Sequence, residues 1–190
     1  MPVTDTLRER LDRRAPATSD RLSESGFLLA GATAGALGWG GTQLLAWVDT
    51  AASAVVATGL WAVLVAGFAG VTVLHGPADT RFSDPMLVWG SVNGTAMLLT
   101  VGGLAGLVPP VVAFWGAWAA AAAVGYCWTG GLLEGAGHPE RGRGYLLSGV
   151  VALAVLAVGA VSFPALEPVA FLVLGVLHVV PLALDARRVR

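Results

Sequence analysis

The chain has 190 residues, 56% of them hydrophobic and 12% charged, with a mean hydropathy of +0.75. Soluble domains devote about a quarter of their residues to charge, so these values describe one membrane domain. A net charge of −1 gives no basis for nucleic-acid binding, and the single cysteine, Cys127, excludes an internal disulfide.

Residues 1–25 are polar and rich in arginine. Thr6 and Glu9 stand at capping-box spacing, and Val3, Leu7 and Leu11 recur every four residues until Pro16 stops the pattern. This segment reads either as an amphipathic helix lying on anionic headgroups or as a solvated tail. It does not read as a cleaved signal, because the apolar run that follows is too long for a signal core.

Six runs reach the roughly 20 residues that a helix needs to cross the hydrocarbon core. They are Gly26–Val48, Ala51–Leu74, Met86–Leu107, Val111–Leu133, Tyr145–Phe163 and Glu167–Leu184. Their polarity is continuous rather than alternating, which selects helices over a closed barrel. The expected fold is an all-α integral membrane protein, a six-transmembrane-helix bundle over residues 26–184 with a basic tail at 185–190.

All eleven positive side chains are arginines, and they fall in alternate gaps. Arg8, Arg10, Arg13, Arg14 and Arg21 precede the first run, and Arg81 lies between the second and third. Arg141 and Arg143 lie between the fourth and fifth runs, and Arg187, Arg188 and Arg190 follow the sixth. The positive-inside rule then predicts a multi-pass cell-membrane protein with N- and C-termini in the cytoplasm. The outer connections are short: Asp49-Thr50, then Val108-Pro109-Pro110, then Pro164-Ala165-Leu166. Proline there removes a backbone donor and fixes φ, ending one helix and starting the next. The result is three short-looped hairpins. The inner connections, residues 75–85 and 134–144, are dominated by glycine and proline and read as turn-rich loops.

Helices in lipid associate through small residues and polar bonds rather than through hydrophobic drive. Gly31/Gly35, Ala62/Ala66/Gly70, Gly90/Gly94, Gly116/Ala120 and Ala117/Ala121/Gly125 form such ladders, and internal packing is their expected use. Beyond the lipid bilayer, these faces suit a homo-oligomer or a heteromeric membrane partner. Trp47, Trp89, Trp115 and Trp128 lie near run ends, where aromatic belts form, and Trp39, Trp61 and Trp118 lie deeper.

No Lys, Arg, Asp or Glu falls in the interior of a run, so the usual relay for protons or ions is missing. The polar residues that remain are few. At about 1.5 Å per residue, Asn93, Tyr126 and His178 lie about 10–12 Å from the cytoplasmic end of their runs, with Thr33 at a similar level. Pro181 withdraws a donor from the carbonyl of Leu177 beside His178. Asn93, Tyr126, His178 and Thr33 are therefore the candidate ligand-binding set, against the alternative of a self-satisfied polar cluster. Arg81, Glu134, Arg141 and Arg143 form a cytoplasmic rim. Gln43 lies near the outer surface.

No catalytic residue is assigned: spacings for nucleophilic or zinc hydrolysis and for phosphate loops are missing, and a lone thiol in an apolar run is inert. No metal or other cofactor is assigned either, since His75, His138 and His178 do not form a ligand set. The expected function is that of a transporter, channel or small-molecule- or lipid-binding component with a polar site in the cytoplasmic half. The alternative is a non-catalytic structural or accessory subunit of a larger membrane complex.

Overall fold

The computed structural model describes residues 22–50, 52–77, 80 and 83–189. The amphipathic pattern at the N-terminus and Arg81 lie outside the described residues. Within them the chain is helical, with no strand.

Helix α1 spans Glu24–Val48. The Ser23 hydroxyl accepts from the Gly26 amide at 3.0 Å, and Glu24 places negative charge in the first turn, where the helix dipole favours it. Helix α2 spans Ser53–His75. Helix α3 spans Asp84–Leu104, capped by Ser83 and opened by Pro85 in its first turn. After Pro109-Pro110 the chain forms a wide π turn at Val112–Gly116 and continues as α4, Ala117–Gly135. Helix α5 spans Pro139–Leu166, with a break at Ser162 (φ −145°, ψ 48°) two residues before Pro164. A 3-10 turn at Glu167–Val169 leads into α6, Ala170–Arg188.

The largest departure from the sequence reading is at residues 134–144. Most of that stretch is helix, because α4 runs to Gly135 and α5 begins at Pro139, where the missing amide costs nothing. Of its glycines, Gly137 makes the turn with a φ of 84°, whereas Gly142 and Gly144 serve close packing. Gly142 lies on α4 so tightly that a Cβ there would stand 2.7 Å from the carbonyl oxygen of Gly130. Helix α6 likewise runs on through Arg188, which carries Asp185 into the bundle instead of leaving it in a tail.

Helix α4 packs along α5, and α1 along α6, as the two most extensive pairings; α3 adds to α4 and α2 to α1, while α2 and α3 scarcely meet. The core is aromatic and small: Trp39, Trp61, Trp115 and Trp118 are buried among Ala96, Ala117, Ala119, Ala121, Ala123 and Ala152. The outside is apolar. Leu37, Val63, Leu98, Val124, Leu147, Val161 and Val176 are all exposed, whereas Gln43 and Asp185 are buried. An apolar exterior around buried polar groups suits hydrocarbon and not water. Three helical stretches are long and apolar enough to cross a membrane, namely Ser53–His75, Asp84–Leu104 and the continuous Pro139–Arg188.

Candidate functional site

Two built regions occupy opposite ends of the bundle. At one end, Asp185 in the last turn of α6 is 2% exposed and meets Arg141 in the first turn of α5. Arg141 donates from Nε to Oδ1 at 2.7 Å and from a terminal nitrogen to Oδ2 at 2.8 Å. The same terminal nitrogen reaches Glu24 of α1 at 2.7 Å, and the Tyr145 hydroxyl donates to Asp185 Oδ2 at 2.9 Å. Three helices are thus pinned together by one guanidinium and two carboxylates. The fork geometry makes these charge-assisted bonds strong, and every buried oxygen of Asp185 has a donor. Glu134 and Arg143, assigned to the same rim, are exposed.

One step inward, Tyr126 is 1% exposed and its hydroxyl donates to the carbonyl of His178 at 3.2 Å. The His178 side chain hydrogen-bonds the backbone of Gly31, and its ring lies flat against Gly35, where no Cβ would fit. The Gly31/Gly35 ladder therefore serves α1–α6 packing. Trp89 of α3 meets Tyr126 edge-on at 4.8 Å. Thr33 is exposed and bonds back to the carbonyl of Leu29 in its own helix. Asn93 is half-buried on α3. Of the four residues grouped by depth, the structure brings Tyr126 and His178 together and leaves Thr33 apart from them.

At the opposite end lies a cavity of about 220 Å³, lined from five helices. Trp39, Trp61 and Trp118 form its aromatic part, with ring centroids 4.5–5.7 Å apart. The Trp61 indole donates to the Thr42 hydroxyl at 3.0 Å, and the Trp118 indole donates to the Thr100 hydroxyl at 3.0 Å. Those hydroxyls are themselves engaged. Thr42 donates to the carbonyl of Gly38 at 2.7 Å, and Thr100 lies 3.0 Å and 3.1 Å from the carbonyls of Ala96 and Ala113. The Ala113 carbonyl is within the π turn, whose wider winding offers it to a side chain of α3. The mouth is polar: Asp49, Thr50 and Ser53 line it where α1 gives way to α2.

Gln43 explains why this end holds its shape. It is 1% exposed; its Oε1 accepts from the amides of Phe171 and Leu172 at 3.1 Å and 3.3 Å, and its Nε2 donates to the carbonyl of Pro168 at 3.2 Å. Val169, at the start of α6, has no capping side chain, so Gln43 satisfies the first amides of α6 from a neighbouring helix. Trp47 adds a second donor to Pro168 at 2.9 Å.

Among the described residues no three His, Cys, Asp or Glu side chains gather as a metal site. Compared with protein-family models, with curated proteins and with solved structures, the chain matches none.

The sequence reading missed the Arg141–Asp185 pair and the aromatic cavity. A signal for the first was present, because one arginine and one aspartate flank runs that must end on the same side. The second had a weaker one, the three deep tryptophans.

Proposed function

We propose that this is a multi-pass membrane protein of six spans, both termini cytoplasmic, that binds a small molecule in the tryptophan-lined cavity. The observation that carries the reading is the cavity itself, a gap lined by five helices and walled by three tryptophans. Ligand sites of this kind are concave, aromatic and furnished with few polar groups. The span count rests on the six helices together with the break at Ser162, which divides the long Pro139–Arg188 stretch into two crossings. The orientation rests on the arginines, which put the cavity on the outer side and the Arg141–Asp185 pair on the cytoplasmic side.

The cavity is a better ligand site than the Asn93, Tyr126, His178 and Thr33 level. There, Tyr126 and His178 already have partners, so the interhelical hydrogen bonds are satisfied by the protein alone. A carrier or channel and a non-transporting binder share this cavity. A closed cytoplasmic end and an open outer one suit a carrier facing outward.

The deciding experiment is a binding screen by isothermal titration in dodecyl maltoside, comparing the native chain with Ala57→Phe, which fills the cavity. Ligands bound by the first and not by the second support the reading; a screen with no such ligand ends it. Introduced cysteines at Thr50 and Val189, in a Cys127→Ser background, test the orientation by labelling from opposite sides in sealed vesicles.

A second reading has its own observation. Gly67 and Gly70 on α2 and Gly90 and Gly94 on α3 have nothing packed within 4 Å of a would-be Cβ. Unused small-residue faces on these two helices favour an accessory subunit or a homo-oligomer. Native mass spectrometry after gentle extraction distinguishes a heteromeric partner from self-association and from a monomer.

A further inference from the structure

Resting on the proposal that the cavity is a ligand site, we infer that its ligand is a small organic cation with an apolar body, of the quaternary or aryl ammonium type. The indole donors of Trp61 and Trp118 are taken by Thr42 and Thr100, and the protons of those two hydroxyls are taken by backbone carbonyls. Of the three indole donors in the deep wall, only that of Trp39 has no protein partner. What these rings still offer is aromatic surface, which carries negative electrostatic potential and holds cations, tryptophan best of all.

The mouth supplies the sign. Among the described residues, Asp49 is the only charged one lining the cavity, and no lysine, arginine or histidine lines it. Asp49 ends α1 in the left-handed region, with φ at 43°, so it stands at the negative end of that helix. The start of α2 opens onto the same mouth and offsets that helix end, which leaves the carboxylate to decide. The neighbouring Thr50 and Ser53 hydroxyls are 3.0 Å apart and bond to each other. An anion meets repulsion from this carboxylate, and the deep wall offers it a single unpaired donor, the buried indole of Trp39. A neutral polar molecule loses its hydrogen bonds to water with little in return.

Size narrows the choice. An apolar cavity of about 150 Å³ accepts a benzene ring, and this one is about 220 Å³. One ring with a short substituent fits; a long amphiphile does not. Benzyltrimethylammonium is the matching probe, and neopentylbenzene is its uncharged counterpart of the same shape.

Isothermal titration in dodecyl maltoside micelles reads the outcome. Benzyltrimethylammonium binds about tenfold or more tightly than neopentylbenzene, the advantage coming from the aromatic wall and the carboxylate. Asp49→Asn, which tolerates the same left-handed backbone, removes most of that advantage without changing the affinity for neopentylbenzene. Ala57→Phe abolishes binding of both. Equal affinity for the two probes, or an Asp49→Asn variant that binds the cation unchanged, overturns the cation assignment while the cavity remains a ligand site. No binding of either probe, with other compounds captured in the screen, overturns it too. If the screen also finds nothing, the failure belongs to the cavity reading itself. Repeating the titration in phosphatidylcholine nanodiscs separates two sources of one chemistry. Competition there assigns the ammonium to a choline headgroup, and unchanged affinity assigns it to a soluble cation.

Discussion

Arg141 and Asp185 are 44 residues apart in the chain and joined by two hydrogen bonds of 2.7 Å and 2.8 Å. The pair closes the end of the bundle at which α5 starts and α6 finishes. Tyr145 and Glu24 complete it, so α1 is held to the same point. The other polar links between the α1–α6 and α4–α5 pairings near this end are the Tyr126 hydroxyl on the His178 carbonyl at 3.2 Å and Arg188 on the Glu140 carbonyl at 3.4 Å.

Removing Asp185 is therefore expected to be costly. Asp185→Ala leaves a partly buried guanidinium and a buried phenol without their acceptor. The expected loss is about 3 kcal/mol, at the lower edge of the range for broken buried pairs because the Arg141 side chain keeps 20% exposure. Glu24→Gln acts on a side chain 44% exposed and costs under about 1 kcal/mol. Replacing both partners, as in Asp185→Leu with Arg141→Met, recovers much of the loss, since no charge is then stranded. Thermal unfolding in dodecyl maltoside checks the order of the three variants. Equal effects of Asp185→Ala and Glu24→Gln would refute it.

The helices were legible in the sequence because each is one long apolar run, and runs of that length leave the backbone one way to satisfy itself. Their ends were less so. Pro139 marks the start of α5, yet Gly137, Gly142 and Gly144 around it have the composition of a loop. Only the packed structure shows that Gly142 is there to bring α5 against α4. Helical depth placed Tyr126 and His178 at one level, and they do meet. Depth carries no information about direction around a helix axis, which is why Thr33 shared their level while facing outward. The cap on α6 from Gln43 was out of reach for the same reason, since its partners are more than 120 residues away. Sequence spacing reports neighbours within a helix, and here nearly all the chemistry lies between helices.

Two glycines separate packing from composition. Gly142 has no room for a side chain, while Gly131 has nothing within 4 Å of its would-be Cβ. Gly131→Ala removes a helix-weakening residue at no steric cost and gains at most about 1 kcal/mol. Gly142→Ala receives the same benefit and meets α4 backbone, at an overpacking cost of about 1–3 kcal/mol, so its net effect is destabilising. Melting temperatures of opposite sign relative to the native chain are the expected result. Similar values for both would mean that α4 and α5 do not approach as closely as they do here.

Gln43 makes three hydrogen bonds to the start of α6, and no side chain of α6 can replace them. Gln43→Leu keeps the volume and strands two amides, so the cost is about 2 kcal/mol, mainly from the unsatisfied donors. The loss should be local. Hydrogen exchange followed by mass spectrometry is expected to show faster exchange at 169–173 and unchanged exchange in the first turn of α5. Uniformly faster exchange would make Gln43 a general core residue rather than a cap.

The cavity makes a prediction that an ordinary core would not. Ala57 borders the gap, whereas Ala119 is 0% exposed within the packed core. Leucine at Ala119 has nowhere to go without moving its neighbours, and about 1–3 kcal/mol is lost. Leucine at Ala57 extends into unfilled space and adds apolar contact with the tryptophan wall. Its expected effect on unfolding is neutral or stabilising, and ligand binding is weakened in the same variant. Comparing the two leucine variants by thermal melt and titration tests whether the gap is real. A loss at Ala57 matching that at Ala119 would mean that the space is already filled by side-chain motion, and the cavity would then not be a site for any ligand.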